Sequence, residues 1–164
     1  MAIVQLRDIV TDQDRAWALT VRRGPGQEQF VASVEKSFAD AIESPEGCPR
    51  YWTINDGEEV VGFVMISDGV PASTIEADPT IIGPYFLWRL LIDEHHQRQG
   101  YGTATLDALV AYLRDRPDAT ELFTSCVPGD GTPQPFYERY GFVATGRIVE
   151  DEVLLRLDLR GGAN

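Results

Sequence analysis

The sequence has little positive charge for its size. Its 14 Lys and Arg residues face 26 Asp and Glu residues, which gives a formal net charge of −12 at pH 7. Non-specific nucleic-acid binding depends on Lys and Arg side chains that neutralise phosphates, so we expect no nucleic-acid partner. An acidic surface attracts cationic partners, although acidity also serves solubility alone.

The sequence is also poor in cysteine and in long apolar runs. Cys48 and Cys126 are too few for a disulfide framework, and no apolar run is long enough to span a bilayer. Residues 1–8 lack the basic and apolar segments of a signal peptide, so we expect a cytoplasmic protein with no membrane partner. The 164 residues, 43% of them hydrophobic, predict a single domain over residues 1–160 and a short tail over 161–164.

The most informative stretch runs from residue 85 to residue 113. An apolar segment typical of a strand, 85–92, leads into a polar loop that ends at Gly100-Tyr101-Gly102. An apolar face with helical spacing follows at once, at Leu106, Leu109, Val110 and Leu113. Glycines at a strand-to-helix turn let a ligand approach, and the unpaired N–H groups at a helix start attract anions. The turn therefore predicts a phosphate or pyrophosphate site; the alternative is an ordinary turn whose glycines only relieve strain.

Hydrophobic spacing along the whole chain predicts the order β-α-α-β-β-β-α-β-α-β-β. This order indicates an α/β fold with a mixed central sheet flanked by helices. In detail, we expect a helix from Thr11 through Val21, a second helix that includes Phe30, an irregular segment over 69–83, and a short helix capped by Thr132.

Two motifs resemble those of one enzyme family. Residues 97–102 match the pattern Q/R-x-x-G-x-G/A, whereas the P-loop pattern fails for want of a Gly-Lys pair and the dinucleotide pattern fails at Thr105. Residues 135–142, Pro-Phe-Tyr-Glu-Arg-Tyr-Gly-Phe, supply the second motif. Together they resemble the GCN5-related N-acetyltransferases (GNAT). The resemblance implies the GNAT acyl-CoA N-acyltransferase fold and acetyl-CoA as the acetyl donor.

The resemblance also implies how the donor binds. The pyrophosphate loop would consist of Gln97, Arg98, Gln99, Gly100, Tyr101, Gly102 and Thr103. Leu90 and Ile92 occupy the strand positions whose main-chain groups hold the pantetheine arm, and a backbone N–H at a local opening of the sheet could stabilise an oxyanion. Asp130 stands where the family often has Asn, and its carboxylate would repel the CoA phosphates.

Tyr137 takes the family's general-acid position, where its hydroxyl would protonate the departing thiolate. By its residue pattern alone, an aromatic residue on a short helix is also typical of a core. The general base stays open: it is one of four carboxylates or a carboxylate that acts through water. Each of the four is more typical of a solvated surface: Glu76, Asp78, Asp93 and Glu94.

Three segments are similar to the bacterial spermine/spermidine acetyltransferase branch of the family: 29–33, 86–93 and 154–159. With the acidic charge, this predicts a small amine that carries more than one positive charge, such as a polyamine. Carboxylates in the cleft loops would bind it, namely Glu28, Glu35, Glu76 and Asp78. Arg89, in the middle of an apolar strand, either orders an acceptor-site carboxylate or forms a structural ion pair.

Other functions remain open at this point. The acceptor could be an antibiotic, an amino acid or a protein N-terminus, and the chain could be a CoA-binding domain without turnover. We expect no metal, because the adjacent His95 and His96 point apart in an extended loop and no i, i+4 partner follows them. A homodimer is also left open.

Overall fold

A computed structural model describes residues 2–161 and shows a seven-stranded sheet with helices on both faces. The tail expected at 161–164 falls outside the described residues except for Gly161, and the single domain over 1–160 stays a prediction. The strands are β1 (Gln5–Asp8), β2 (Pro49–Asp56), β3 (Glu59–Asp68), β4 (Tyr85–Ile92), β5 (Glu121–Cys126), β6 (Val143–Val149) and β7 (Glu152–Asp158). The helices are α1 (Asp12–Ala18), α2 (Val34–Glu43), α3 (Ala72–Ala77), α4 (Tyr101–Arg114) and α5 (Gln134–Tyr140), with a 3₁₀ turn at Pro45–Gly47.

The strands lie in the order β1-β2-β3-β4-β5-β7-β6. Only β4 and β5 are parallel neighbours among the described residues, and the other adjacent pairs are antiparallel. The mixed sheet and the order of elements are as the sequence predicts, with α3 as an addition. No helix within residues 2–161 is both long and apolar enough to cross a membrane.

Two hydrophobic clusters cover the two faces of the sheet. Along β3, Phe63 and Met65 pack with α1 and α2, while Val64 and Ile66 pack with α4 and α5. Successive side chains of a strand point to opposite faces, so a central strand that is buried on both faces must be apolar throughout. Both faces are thus closed around the centre of the sheet, where β4 lies.

The first two helices are shorter than predicted. α1 has the predicted N-cap at Thr11, but it ends at Ala18 instead of Val21. α2 begins after Ser33, whose hydroxyl accepts a hydrogen bond from the backbone three residues later. This cap sets the start of the helix, and it leaves Phe30 in the preceding turn.

Two further local predictions are wrong. The segment 69–83, expected to be irregular, contains α3 after Pro71; a six-residue helix without a side-chain cap leaves a weak sequence signal. α5 begins after Pro133 and is not capped by Thr132, whose hydroxyl lies 3.4 Å from the backbone N of Gln134.

At Gly62 the strands β3 and β4 lie so close together that a side chain would not fit. A methyl group at this position would lie 2.5 Å from the carbonyl oxygen of Leu91 and 2.9 Å from the Cδ1 atom of Ile54. Because backbone in the middle of a sheet cannot move aside, we expect Gly62→Ala to lower the free energy of unfolding by about 1–3 kcal/mol. Urea unfolding followed by circular dichroism measures this change.

The matched control is Gly57→Asn in the turn of the same hairpin. Gly57 has a φ of +59°, which Asn tolerates, and a Cβ atom added there would have no neighbouring atom within 4 Å. We expect this variant to stay within about 0.5 kcal/mol of the parent. A Gly62→Ala loss no larger than that of the control would contradict the steric argument.

Candidate active site

The sheet opens between β4 and β5. Within residues 2–161 these strands pair only at Phe86 with Phe123 and at Leu87 with Thr124. Beyond that point β4 continues along β3 as far as Ile92, while β5 continues along β7. Main-chain groups on this side of β4 therefore have no neighbouring strand there and are available to a ligand.

A β-bulge in β4 lies at the opening. The register with β3 skips Trp88 between Leu87 and Arg89. As a result Trp88 and Arg89 both face the α2 side, where Arg89 Nη2 donates to Asp40 Oδ2 at 2.7 Å. A regular strand would place consecutive side chains on opposite faces, so the bulge redirects β4 at this point.

One buried carboxylate holds the loop between β4 and α4. Asp93 accepts hydrogen bonds from Arg22 N at 2.9 Å and His95 N at 3.1 Å, and it contacts His96 Nδ1 at 3.2 Å. Burial opposes ionisation of Asp93, but these hydrogen bonds outweigh it and lower its pKa. Burial likewise opposes a charged His96, yet bonds with Glu59 and Asp93 raise its pKa. The first half of the loop is thereby fixed.

The second half of the loop leads into the N-terminus of α4. Gly100 caps the helix with a φ of +85°, a conformation that glycine adopts without strain. In the part of the chain that the structure describes, no backbone oxygen or side chain accepts a hydrogen bond from the N–H groups of residues 97–103. These N–H groups and the positive end of the helix dipole suit a pyrophosphate.

The backbone N–H groups of residues 97–103 are called the cradle, and two side chains shape it. Gln97 Nε2 donates to the Ile92 carbonyl at 3.1 Å and to Gln27 Oε1 at 2.8 Å. The Phe136 ring packs over Gly102, where an added Cβ atom would lie 3.0 Å from Phe136 Cζ. The cradle therefore has the bare backbone and the anion-binding groups that the pyrophosphate of an acyl-CoA needs.

A cavity of about 490 Å³, the loop cavity, joins the cradle to the opening in the sheet. The residues singled out from the sequence that line it are Leu90, Ile92, Gln97, Arg98, Gly100, Tyr101, Gly102, Thr103 and Tyr137. Gln99 does not line it, and its side chain lies 3.5 Å from the His95 carbonyl. Arg139 of α5 adds a second cation beside Arg98, which sequence reasoning missed.

Tyr137 lines the loop cavity and is only 7% exposed. Burial, together with the nearby Cys126, raises the pKa of Tyr137 well above its usual value, and a hydrogen bond with Thr124 offsets only part of this rise. Its hydroxyl is therefore protonated throughout the physiological range, as a proton donor must be.

A second cavity, of about 530 Å³, lies on the other side of the opening and is called the acidic cavity. Its lining includes five carboxylates: Glu28, Glu46, Asp78, Glu150 and Glu152. Among the described residues Arg89 is its one Lys or Arg, and it is paired with Asp40, which Lys36 also contacts. Of the residues singled out for the acceptor, Glu28, Asp78 and Arg89 thus meet here. Glu35 lines a third cavity, beside α1, which Glu28 also reaches, and Glu76 lies on α3 outside the linings of these three cavities.

The two cavities share four lining residues, namely Phe30, Val31, Trp88 and Ser125. A molecule in one cavity can therefore meet a molecule in the other at the opening between β4 and β5. Sequence reasoning missed the shared residues, because the bulge at Trp88 and the turn that holds Phe30 have no local pattern of their own.

Two of the four carboxylates considered as the general base already accept hydrogen bonds from other residues. Asp93 holds the loop, and Asp78 accepts hydrogen bonds from both the hydroxyl and the backbone N of Thr80, which lower its pKa. Glu94 lies beside His95 and lines neither cavity at the opening. Of the four, only Asp78 lines a cavity at the opening, where Thr80 holds its carboxylate.

Comparison with known proteins agrees with this geometry. Residues 6–142 match the model of the Acetyltransferase (GNAT) family. The chain is 28% identical over 142 residues to a Bacillus subtilis subsp. natto protein named probable spermine N(1)-acetyltransferase, a match that covers 85% of this chain and 88% of the relative.

Two solved structures share the fold. A GNAT-family acetyltransferase from Desulfovibrio desulfuricans has a TM-score of 0.62 at 22% identity, with 95% of this chain and 99% of that chain covered. The PaiA N-acetyltransferase from Thermoplasma acidophilum, in complex with coenzyme A, has a TM-score of 0.62 at 14% identity, with coverage of 96% and 99%. The family match over most of the chain, on a site with a pyrophosphate cradle, shows that the chain belongs to the GNAT family and is an acetyl-CoA-dependent N-acetyltransferase.

Proposed function

We propose that this enzyme acetylates a primary amine of a small polycation, such as a polyamine. The observation that carries the proposal is the acidic cavity, with five carboxylates and one arginine that is already paired. A polycation loses hydration when it enters a cleft, and carboxylates must offset that loss. The name of the Bacillus relative supports the same acceptor class.

The chemistry is direct attack of the amine on the thioester. The amine reaches the carbonyl carbon from the acidic cavity, while acetyl-CoA lies in the loop cavity on the cradle of residues 97–103. As the carbon–sulfur bond breaks, Tyr137 gives its proton to the leaving sulfur. Main-chain groups of Leu90 and Ile92, on the open side of β4, hold the pantetheine arm and face the developing oxyanion.

The charge of the acceptor separates some of the alternative amines from a polyamine. An amino acid brings a carboxylate into a cavity that is already negative, where like charges repel. An aminoglycoside is a polycation and meets the same electrostatic requirement, so size and shape must separate it from a polyamine.

Tyr137→Phe tests the general acid. The change keeps the ring and removes the proton, so we expect kcat to fall by about 10²–10⁴-fold with little change in acetyl-CoA affinity. Thiol release from acetyl-CoA measures turnover, and calorimetry measures binding. Since burial raises the pKa of Tyr137, the parent enzyme should show no loss of kcat from this group up to about pH 10, the usual tyrosine value.

Tyr140→Phe is the matched control on the same helix. Its hydroxyl donates to Asp107 at 2.8 Å, and Tyr140 does not line the loop cavity. We expect its kcat to stay within about threefold of the parent, a change below ~1 kcal/mol in activation free energy. Equal turnover in the Tyr137 and Tyr140 variants would make Tyr137 a core aromatic.

Gly102→Val tests the cradle. A side chain at Gly102 would meet the Phe136 ring at 3.0 Å and narrow the space above the N–H groups. We expect acetyl-CoA to bind at least ~10-fold more weakly, or about 1.4 kcal/mol, as measured by calorimetry. Gly146→Asn, at an exposed position with a φ of +84° and free space around it, should bind as the parent does. Parent-like affinity in Gly102→Val would remove the cradle from the proposal.

An amine panel tests the acceptor class. It contains spermine, spermidine, an aminoglycoside, amino acids, a peptide with a free N-terminus and a monoamine, each at low and high salt. We expect the highest kcat/KM for the polyamines, and a fall with salt, because the screening length shrinks from about 30 Å at 0.01 M to about 3 Å at 1 M. The monoamine is the control for a salt effect on the enzyme itself. Turnover confined to neutral or acidic amines would overturn the polycation proposal and leave the acetyltransferase assignment intact.

A further inference from the structure

Strand β5 divides the reaction site between the two faces of the sheet. Thr124 and Cys126, both buried, lie on the face where Tyr137 packs. Ser125, between them, points to the opposite face and lines both cavities. The proton donor and the Ser125 hydroxyl are therefore held on opposite sides of one strand at the opening.

Ser125 is hydrogen-bonded to a carboxylate. Its Oγ donates to Glu152 Oε1 at 3.3 Å, and both residues are half-buried. The register explains the contact: Ser125 pairs with Leu154 of β7, and Glu152 lies two residues away on the same face. Glu152 also lines the acidic cavity, so the pair reaches from the cavity wall to the opening.

The other carboxylates of the acidic cavity do not share this placement. Asp78 is held by Thr80, and neither Glu28, Glu46 nor Glu150 has a hydrogen bond to a residue shared by the two cavities, as far as residues 2–161 show. These groups provide negative potential, whereas Glu152 is connected to the place where the amine meets the thioester.

We propose that Glu152, acting through the Ser125 hydroxyl, accepts the proton that the acceptor amine releases during acetyl transfer. The proposal rests on the acetyl transfer of the family and not on a polyamine as the acceptor. The amine nitrogen forms a bond to the carbonyl carbon and becomes positively charged, which makes its N–H far more acidic than in a free ammonium ion. A carboxylate is then a competent acceptor.

Each proton that moves in this scheme has a donor and an acceptor on one of the two faces of the sheet. The attacking group is the neutral amine, whose ammonium proton has already left to solvent. After attack its N–H proton passes to Ser125 Oγ as the Ser125 proton passes to Glu152. The carbon–sulfur bond breaks, and the sulfur takes the proton of Tyr137. The products are the amide and the free thiol, and solvent returns one proton to Tyr137 and removes one from Glu152. No oxidant, reductant or further reactant is needed.

Other charged groups lie around Glu152, and they affect any experiment that removes its charge. Across the acidic cavity these are Glu28, Glu46, Asp78 and Glu150, with Arg89 paired to Asp40. The charge of Glu152 also acts through β5: after burial, Glu152 and Glu138 contribute to the raised pKa of Cys126 on the opposite face. A variant that removes only the charge of Glu152 therefore needs a control that removes an equal charge from the same cavity.

Glu152→Gln is the decisive variant and Glu150→Gln is its matched control. With the amine that the parent turns over fastest, we expect Glu152→Gln to lower kcat by about 10²-fold or more and to leave acetyl-CoA affinity unchanged. Its log kcat should rise steadily with pH where the parent reaches a plateau, since hydroxide replaces the missing acceptor. Glu150→Gln should raise KM for a cationic amine and keep both the kcat and the plateau of the parent.

Two further variants separate a proton relay from a structural role. Ser125→Ala should show the same change in pH profile as Glu152→Gln, and Glu152→Asp should regain part of the lost kcat. Acetyl-CoA calorimetry on each variant reports whether the fold is intact.

A parent-like pH profile in Glu152→Gln, or a defect confined to KM as in Glu150→Gln, would overturn the relay. If polyamines fail as acceptors and another amine is turned over, the acceptor proposal fails, while the comparison of the Glu152 and Glu150 variants still decides the relay with that amine.

Discussion

The bend that the Trp88 bulge puts into β4 separates this strand from β5, and the rest of the site depends on that separation. Because β4 turns away after Leu87, its main chain is exposed along one side and both cavities reach it. The bend also directs Arg89 towards α2, where it bonds Asp40. A regular strand would close the gap with a continued parallel ladder and leave no passage through the sheet.

The separation also resolves an electrostatic difficulty. A chain with a net charge of −12 must bind an anionic acetyl donor. In the proposed binding mode it does so locally, with the free N–H groups of residues 97–103 and the cations Arg98 and Arg139, while five carboxylates line the neighbouring acidic cavity. The cationic acceptor proposed above would then meet the carboxylates, and the anionic donor would meet the N–H groups and the two arginines.

Local sequence signals predicted the frame of the molecule better than its acceptor side. The strand, the glycine turn and the amphipathic helix around Gly100 are contiguous in the chain, so one motif located the cradle. Ser125 and Glu152 are 27 residues apart and meet only through the pairing of β5 with β7, which no short pattern encodes. The sequence predicts Glu35 in a cleft loop with Glu28, yet the cap at Ser33 places Glu35 on α2, where it does not reach the acidic cavity that Glu28 lines.

The junction of the two cavities has a kinetic consequence. The cavities proposed for donor and acceptor share only four lining residues, so a molecule in one leaves room for a molecule in the other and both can be present together. Cys126 is a poor carrier for a covalent acyl-enzyme, because burial raises its pKa to about 12 and its thiolate is scarce at neutral pH. If both substrates are held together in this way, the reaction runs through a ternary complex, and double-reciprocal plots at several fixed concentrations of the second substrate intersect instead of running parallel.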